Sequence, residues 1–339
     1  MILSYYKTMK EKNKNRLSPV KKAVVIILSI LLAVTVLLVG IRVGEKLAFI
    51  PFYLNAKAEF TTPGMSSGFV GQGLDYLEEE NAFLSCGYNA KKGKASSVYY
   101  IDSNGKSREI KLKNADGSAY TGHTGGIAHY GDYVYITGAS GCDVFNLSDF
   151  TQGNSEAIKI GEINSPEGHD PAFVVIHGDK LYEGSFYRQG NYETPQNERI
   201  TTPSGDNNTA LIYVYQLGGS ENFGVSTTPV EAYSTRGLVQ GITFTENEMV
   251  LSCSWGLSPS HLYFYNLADM QQGQLTVGSE QIPLKYLDSS CLVKDVTAPP
   301  MSEEIVYKDG RIYIMTESAS NKYIFGKFMS GIEIYSYKV

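Results

Sequence analysis

The sequence predicts an all-β fold, a five-bladed β-propeller, preceded by a single transmembrane helix. A motif of two short apolar strands joined by a tight polar turn recurs five times, at spacings of roughly 45–70 residues, which is typical of a propeller repeat. The 25 Tyr, 14 Phe and 34 Gly suit many short strands joined by turns. A charge-free apolar run, Ala23–Ile41, precedes the first repeat. We therefore expect one helix followed by one large domain of strands.

The N-terminal segment predicts a membrane anchor and its orientation. The basic segment 1–22 precedes an apolar run at 23–41 that is long enough to cross a bilayer core of about 30 Å. The flanking lysines predict a cytoplasmic N-terminus, a linker at 42–56 and an extracytoplasmic propeller at 57–339, held at the cell membrane by a single pass. A cleaved signal peptide is the alternative. Its apolar core would normally span about 7–15 residues with a cleavage site close behind, whereas Ala56–Ala58 lies well past the run. We therefore favour an uncleaved signal-anchor.

The net charge differs strongly between the two parts of the chain. Residues 1–22 carry seven basic side chains against Glu11, a net charge of +6. Since the whole chain has a net charge of −6, the remainder carries −12. Binding of nucleic acid needs clustered Lys and Arg to meet phosphates. The acidic propeller therefore argues against nucleic acid as a partner, and the membrane is contacted through the N-terminal helix.

The repeats predict how the ring is assembled. They open at Gly71, Gly125, Pro171, Val239 and Ser302. Third strands are predicted at 98–102, 143–147, 211–216, 262–267 and 332–337, and fourth strands at Arg108–Leu112, Ala157–Ile163, Pro229–Tyr233 and Ile282–Leu287. The fifth repeat has no fourth strand of its own, so Lys57–Thr62 is expected to supply it and to close the ring without exposed edges.

Two other architectures fit the pattern less well. A sixth blade would need another hairpin within Leu217–Leu238 or Ala268–Lys294, and neither segment contains a convincing one. A two-sheet sandwich also uses short strands and regular turns, but it does not explain the matched openings of the repeats. The four cysteines show no C-x-x-C spacing, and we expect buried, unpaired thiols at Cys86, Cys142, Cys253 and Cys291.

The candidate site follows from aligning the first strands, which line the channel of a propeller. One column of the alignment reads Gln72, Gly125, Ala172, Gln240 and Glu303, and the next reads Gly73, Gly126, Phe173, Gly241 and Glu304. His123, His169 and Asp170 lie just upstream of such strands, and Trp255 lies in a loop at the same rim. Loops between second and third strands are long and variable, as on the binding face of a repeat protein. We therefore expect ligand binding at this mouth by Gln72, His123, His169, Asp170, Gln240, Trp255 and Glu303.

Three kinds of site suit these residues, and one plain alternative remains. Asp170 with Glu303 or Glu304 and glutamine carbonyls suits a hard cation such as Ca²⁺. His123 and His169 with one acid suit a transition metal, although the H-x-x-x-H spacing is absent. Asp170 and Glu303 suit a glycosidase pair, which makes Asp170, Glu303 and Glu304 the catalytic and metal candidates. The alternative is that these groups bond one another and buried water.

The openings GQGLDY, VQGITF and SEEIVY resemble the first strands of several enzyme propellers. The architecture resembles the calcium-dependent apyrase family, which is five-bladed and in some members anchored by an N-terminal helix. That resemblance implies a central Ca²⁺ that orients nucleotide phosphates, with Ser302 and Glu303 matching the family's ligands. Gln72 and Gln240 stand where the family has carboxylates, and Gly125 and Ala172 offer no side-chain ligand.

The sequence thus favours binding of a small polar ligand, glycan or protein partner at the channel mouth. The alternative is a metal-assisted hydrolase of a phosphate ester or glycoside at the same mouth. Amides do not transfer protons, so the paired glutamines favour binding over acid–base chemistry.

Overall fold

The computed structural model describes residues 18–329 and 331–339, so most of the basic segment 1–22 lies outside the described residues. The chain divides into two compact units, Met1–Ala48 and Phe49–Val339. In the first unit, helix α1 spans Pro19–Ala48 and exposes nearly all of its apolar side chains. Within the described residues it is the one helix that is long and apolar enough to cross a membrane. It extends beyond both ends of the predicted span 23–41.

The second unit is a five-bladed propeller, as the repeats predict. From the channel outwards, blade 1 contains β2 (Phe69–Gly71) with β3 (Asp75–Leu77), then β4 (Ala82–Asn89), β5 (Ser97–Ile101) and β6 (Ser107–Lys113). Blade 2 contains β7 (Ile127–Tyr130), β8 (Tyr133–Thr137), β9 (Gly141–Asn146) and β11 (Gly161–Asn164). Blade 3 contains β12 (Pro171–His177), β13 (Lys180–Ser185), β16 (Ala210–Gln216) and β17 (Glu231–Thr235). Blade 4 contains β18 (Val239–Phe244), β19 (Glu248–Cys253), β20 (Ser260–Asn266) and β23 (Leu292–Ala298).

Blade 5 is built from both parts of the propeller chain. It contains β24 (Ser302–Lys308), β25 (Arg311–Thr316), β26 (Glu333–Lys338) and, as its outer strand, β1 (Ala56–Thr61). Strand β1 runs antiparallel to β26 and pairs from Ala56 with Tyr337 to Thr61 with Glu333. The predicted closure by Lys57–Thr62 is therefore confirmed, with the strand beginning one residue earlier.

Short elements complete the chain between the blades. Helix α2 (Ile50–Tyr53) precedes β1, and helix α3 (Leu147–Thr151) follows β9. Strand β10 (Glu156–Ile158) adds to blade 1, β14 (Ile200–Thr201) pairs with β15 (Asn207–Asn208), and β21 (Gln272–Val277) pairs with β22 (Glu280–Tyr286). Turns of 3₁₀ helix lie at Gln196–Glu198, Asn222–Gly224, Leu267–Asp269 and Gly326–Phe328.

Two predicted outer strands are assigned differently by the structure. The segment predicted as Ala157–Ile163 divides, since β10 pairs in parallel with β6 of blade 1 and only β11 belongs to blade 2. The segment predicted as Ile282–Leu287 is not the edge of blade 4. It forms a hairpin with β21 and pairs in parallel with β17 of blade 3. The exclusion of a hairpin in Ala268–Lys294 was therefore wrong, although this hairpin widens blade 3 and forms no sixth blade.

The core lies between neighbouring blades. Strand β16, ALIYVYQ, has six of its seven residues buried because a middle strand is covered on both faces. Helix α2 closes one edge of the ring, with the Phe52 ring stacked on Tyr337 at 5.6 Å. All four cysteines are buried with free thiols. The inter-blade core holds the inner strands in register, and those strands position the channel residues.

The direction of β1 separates the channel mouth from the place where the chain joins the ring. Strand β26 begins just after the loop that follows β25, and Ala56 pairs with Tyr337 near the opposite end of β26. The loops between second and third strands therefore lie on one face. The chain reaches β1 from the other face.

Candidate ligand site at the channel mouth

Bulges at the start of the inner strands position the side chains at the mouth. In blade 4 the pairing shifts between Val239 and Gly241, which leaves Gln240 as the extra residue. The same shift occurs around Ala172 in blade 3 and between Ser302 and Ile305 in blade 5. In blade 1 the N–H groups of Gln72 and Gly73 both donate to Cys86 O, at 2.9 and 3.2 Å. A bulge redirects a side chain out of the strand's alternation, and here it occurs in four of five blades in the predicted column.

A cavity of about 1230 Å³ opens at this mouth. Its lining includes six of the predicted site residues, namely Gln72, His123, Asp170, Gln240, Trp255 and Glu303. The loops after second strands add Glu317, Lys322 and Tyr323 from blade 5, and β4 adds Tyr88. His169 and Glu304 lie outside the lining. The structure thus brings together most of the predicted side chains and adds a group from blade 5.

Two carboxyl groups meet at the floor of the cavity. Glu303 is only 2% exposed and is hydrogen-bonded to Glu317. Gln72 Nε2 donates to Glu317 Oε2 at 3.0 Å, and Gln240 Nε2 donates to Glu303 Oε1 at 3.4 Å. Burial and the charge of Glu317 raise the pKa of Glu303 well above its usual range. Burial also raises the pKa of Glu317, and the hydrogen bond between the two carboxyl groups requires a proton on one of them.

Two tyrosines connect the carboxyl pair to a lysine at the surface. Tyr323 OH donates to Glu317 Oε2 at 2.9 Å, and the Tyr88 and Tyr323 hydroxyls are hydrogen-bonded to each other. Lys322 Nζ donates to Tyr88 OH and lies 4.8 Å from the centre of the Tyr88 ring and 5.0 Å from that of Tyr323. A continuous chain of polar groups therefore runs from the exposed side chain of Lys322 to the carboxyl pair at the floor.

His123 and Asp170 complete the polar wall. The His123 ring lies 4.7 Å from that of Tyr88, and the surrounding protein and the positive charge of Lys322 lower the pKa of the imidazole. Asp170 is exposed to the cavity, and partial burial raises the pKa of its carboxyl group. At neutral pH the imidazole is therefore a neutral hydrogen-bonding group.

Glu304 occupies the centre of the ring below the cavity. Its Oε2 accepts hydrogen bonds from the N–H of Leu74 at 2.7 Å and of Ile127 at 3.2 Å. A Cβ at Gly73 would lie 2.9 Å from this oxygen, and one at Gly241 would lie 2.7 Å from the Cα of Glu304. The glycines of this column therefore leave the space that the Glu304 side chain fills. Burial raises the pKa of Glu304 well above its usual range. Its contacts indicate a structural role, joining blades 1, 2 and 5.

His169 helps to hold the longest loop of the mouth against blade 3 through its contact with Glu198. Its Nδ1 lies 2.8 Å from Glu198 Oε1, and Ser185 Oγ donates to Glu198 Oε2 at 2.7 Å. Burial lowers the pKa of His169, but the hydrogen bond and charge of Glu198 outweigh it and the net direction is upward. His169 thus acts on the cavity through the position of the loop.

Trp255 lies in an aromatic cluster on the rim. Its ring lies 6.1 Å from Phe186 and 5.8 Å from Tyr192, and the Arg188 guanidinium lies 4.1 Å from its centre. Trp255 is 37% exposed and Tyr192 53% exposed. The rim therefore offers apolar ring surface beside the polar floor.

The residues present do not fit the Ca²⁺ site that the apyrase resemblance implies. The side chain of Glu304 is directed at backbone N–H groups inside the ring, whereas Glu303 faces Gln240 and Glu317. In the described part of the chain, no three His, Cys, Asp or Glu side chains are grouped so as to hold a metal ion. Glu303 and Glu304 therefore do not face a common point at which both could bind Ca²⁺.

Sequence reasoning missed Glu317, Lys322, Tyr88 and Tyr323. The alignment used first strands only, and these four side chains come from the ends of second strands and from the loop after β25. Glu317 directly follows β25, and Tyr88 lies near the end of β4. A second column at the ends of the second strands is the signal that identifies this position.

Comparison with known proteins gives no family for this chain. No family model matches it, and no curated protein matches it. Solved structures similar to it include a putative oxidoreductase (glucose dehydrogenase) from Thermus thermophilus, with 10% identity, a TM-score of 0.42 and coverage of 83% of this chain and 98% of that one. Myxococcus xanthus glutaminyl cyclase has 9% identity, a TM-score of 0.38 and coverage of 84% and 94%. An exo-β-1,3-galactanase from Phanerochaete chrysosporium has 12% identity, a TM-score of 0.47 and coverage of 84% and 63%. The blade count rests on the strand pairing of this chain, and no site residue is transferred from these proteins.

Proposed function

We propose that this protein is a single-pass membrane protein whose extracytoplasmic propeller binds a small polar ligand, a glycan among the candidates, in the cavity at its channel mouth. The observation that carries the proposal is the cavity floor, where Glu303, Glu317, Gln72 and Gln240 form one hydrogen-bonded group. Concave sites that combine apolar walls with a few convergent polar groups are typical of small-molecule binding.

The topology supports a mouth that is accessible from outside the cell. The chain joins the ring on the face opposite the cavity. With helix α1 in the membrane and its N-terminus in the cytoplasm, the propeller and its channel mouth lie on the extracytoplasmic side. Both exposed rings of the rim, Tyr192 and Trp255, then face the aqueous phase, where sugars or other polar molecules are available.

The charge of the cavity narrows the ligand class. Among the residues that the structure describes, six carboxyl side chains and two lysines line the cavity. One of those lysines, Lys159, is paired with Asp143 and with Glu162. A phosphate or another anion would meet this acidic lining at a cost in free energy. The ligand we propose is therefore neutral or cationic, which argues against a nucleotide.

A thermal-shift screen tests the proposal. Full-length protein in detergent is heated with a panel of neutral sugars, amino sugars, amino acids, amines and nucleotides. A ligand at 100 times its Kd adds about 2.7 kcal/mol to the stability of the folded state and raises the Tm measurably. The shift should disappear in Gln240→Ala and in Glu303→Gln. It should persist in Glu79→Gln, a control in the exposed turn on the opposite face. A panel without any binder, or a shift that survives in both cavity variants, would count against the proposal.

A hydrolase is the second candidate, and the hydrogen bond between the carboxyl groups of Glu303 and Glu317 is the observation that favours it. Two carboxyl groups with different proton affinities can act as acid and base. The carboxyl groups of Glu303 and Glu317 are hydrogen-bonded directly, so they lie closer together than the two carboxyl groups of a glycosidase, which are about 5 Å or more apart. Binding is therefore the better supported function. Hydrolysis of aryl glycosides or nucleotides that is abolished in Glu303→Gln would establish the enzyme. Wild-type protein without turnover on either class would exclude it for those substrates.

A further inference from the structure

The ammonium group of Lys322 lies in a setting that proteins use for ligand cations. It belongs to an exposed side chain on the loop after β25, yet it reaches back into the cavity. There it donates to Tyr88 OH and lies within about 5 Å of two aromatic ring centres, a distance at which rings attract cations. The Tyr88 and Tyr323 rings and the Glu317 carboxyl group behind them are named here the ammonium seat.

The seat is connected directly to the cavity floor. Tyr323 OH donates to Glu317, and Glu317 is bonded to Glu303 and to Gln72. The hydroxyl group of Tyr323 therefore links the aromatic rings of the seat to the negatively charged Glu303–Glu317 pair. Lys322 contacts phenols and rings, and no carboxylate lies within ion-pair distance of its ammonium in the described residues. The ammonium group of Lys322 is thus held by two tyrosine rings and the Tyr88 hydroxyl, and the same groups can hold the cation of a ligand.

Lys322 is poorly suited to a permanent structural role at this point. An exposed lysine held by rings and one hydroxyl contributes little to stability, and its long side chain loses rotamer freedom when it is fixed there. The groups of the seat are half-buried, whereas the lysine itself is exposed. A ligand that brings its own ammonium group can displace the lysine outwards and keep every polar partner of the seat satisfied.

We propose that the channel mouth recognises its ligand through a primary ammonium group, which binds the seat of Tyr88, Tyr323 and Glu317 that Lys322 fills in the absence of ligand. This inference rests on the proposed function, since it names the chemical class of the ligand for the same cavity. It predicts that amines bind and that their N-acetylated analogues do not.

The test removes the internal occupant and supplies a small external one. In Lys322→Met, which shortens the side chain by one atom and removes the charge, n-butylammonium should bind about tenfold more tightly than to the wild type. Binding is measured by ligand-observed NMR on full-length protein in detergent, with 1-butanol as the neutral probe. Lys327→Met, on the same loop, is the matched control and should behave as the wild type. Adding Glu317→Gln to Lys322→Met should remove the gain.

The outcomes separate this inference from the proposed function. Equal binding of n-butylammonium to the wild type and to both single lysine variants, or equal gains for 1-butanol, would overturn the seat. A neutral ligand in the thermal-shift screen, without any gain in Lys322→Met, would overturn the seat and leave the proposed function standing. A gain for n-butylammonium without any binder in the screen would uphold the seat and count against the proposed function.

Discussion

Replacing Glu304 tests whether one side chain joins three blades at the centre of the ring. Its Oε2 accepts from Leu74 N at 2.7 Å and from Ile127 N at 3.2 Å, and its carboxyl group is fully buried. In Glu304→Ala both N–H groups lose their acceptor. Each buried, unpaired N–H costs about 1–3 kcal/mol, so we expect a loss of roughly 2–6 kcal/mol in the free energy of unfolding. That is a large part of the stability of a typical domain, about 5–15 kcal/mol.

Glu304→Gln provides the matched variant, because its carbonyl oxygen can still accept both hydrogen bonds. The raised pKa of Glu304 means that the folded protein holds this proton more tightly than the unfolded chain, whose ordinary value is 4.5. The stabilising contribution is complete below that value and is lost as the pH rises through the raised pKa of the folded state. Glutamine does not ionise. The stability of Glu304→Gln relative to that of the wild type should therefore increase as the pH rises from 5 to 8.

Urea unfolding of full-length protein in detergent, followed by far-UV circular dichroism, measures both effects. The midpoint of Glu304→Ala should fall well below that of the wild type, with Glu304→Gln between them at pH 5. Equal midpoints for Glu304→Ala and the wild type would refute the structural role. A loss in Glu304→Gln that grows with pH would refute the assigned direction of the pKa.

Two further predictions concern other parts of the ring. Phe52→Ala should lower the free energy of unfolding by about 3–5 kcal/mol, because Phe52 is 3% exposed and its ring stacks on Tyr337. Leu54→Ala is the control, since Leu54 is 79% exposed and its loss should change the unfolding midpoint little. Similar midpoints in the two variants would contradict this prediction. The raised pKa of His169 beside Glu198 stabilises the fold most below its ordinary value of 6.5, and this contribution is lost as the pH rises through the raised value. His169→Ala should therefore show a weaker fall in stability with rising pH than the wild type, and parallel pH profiles would exclude the ion pair.

The blades were predictable because their signal is local. Each opening pairs a strand with its neighbour across a short turn, and period-two alternation identifies both strands. The closing strand followed from the same logic, since β26 needed an outer partner and β1 carried a matching pattern. The hairpin β21–β22 was misassigned for the opposite reason. Its sequence predicts a strand, but its choice of β17 as partner depends on contacts distant in the chain.

Only the site residues on or beside the inner strands could be predicted from the sequence. Gln72, Gln240 and Glu303 share a column and meet at the mouth, and that much follows from alignment. Glu317 and Lys322 reach the same cavity from the loop after β25, which contacts blade 1 through the hydrogen bond of Lys322 to Tyr88. A loop of this length has no periodicity from which its path can be read.

Because of the bulge, the adjacent residues Glu303 and Glu304 have different roles: Glu303 lines the cavity, and Glu304 stabilises the ring. Strand alternation alone sends successive side chains to opposite faces, both of which pack between blades. The bulge between Ser302 and Ile305 instead directs Glu303 to the cavity and Glu304 to the centre of the ring. Bulges recur in blades 1, 3 and 4, so these blades also direct the residue of this column out of the alternation of the strand. Among the described residues of this column, Glu303 of blade 5 is the one with a carboxyl group, and Glu317 from the end of the second strand of the same blade pairs with it.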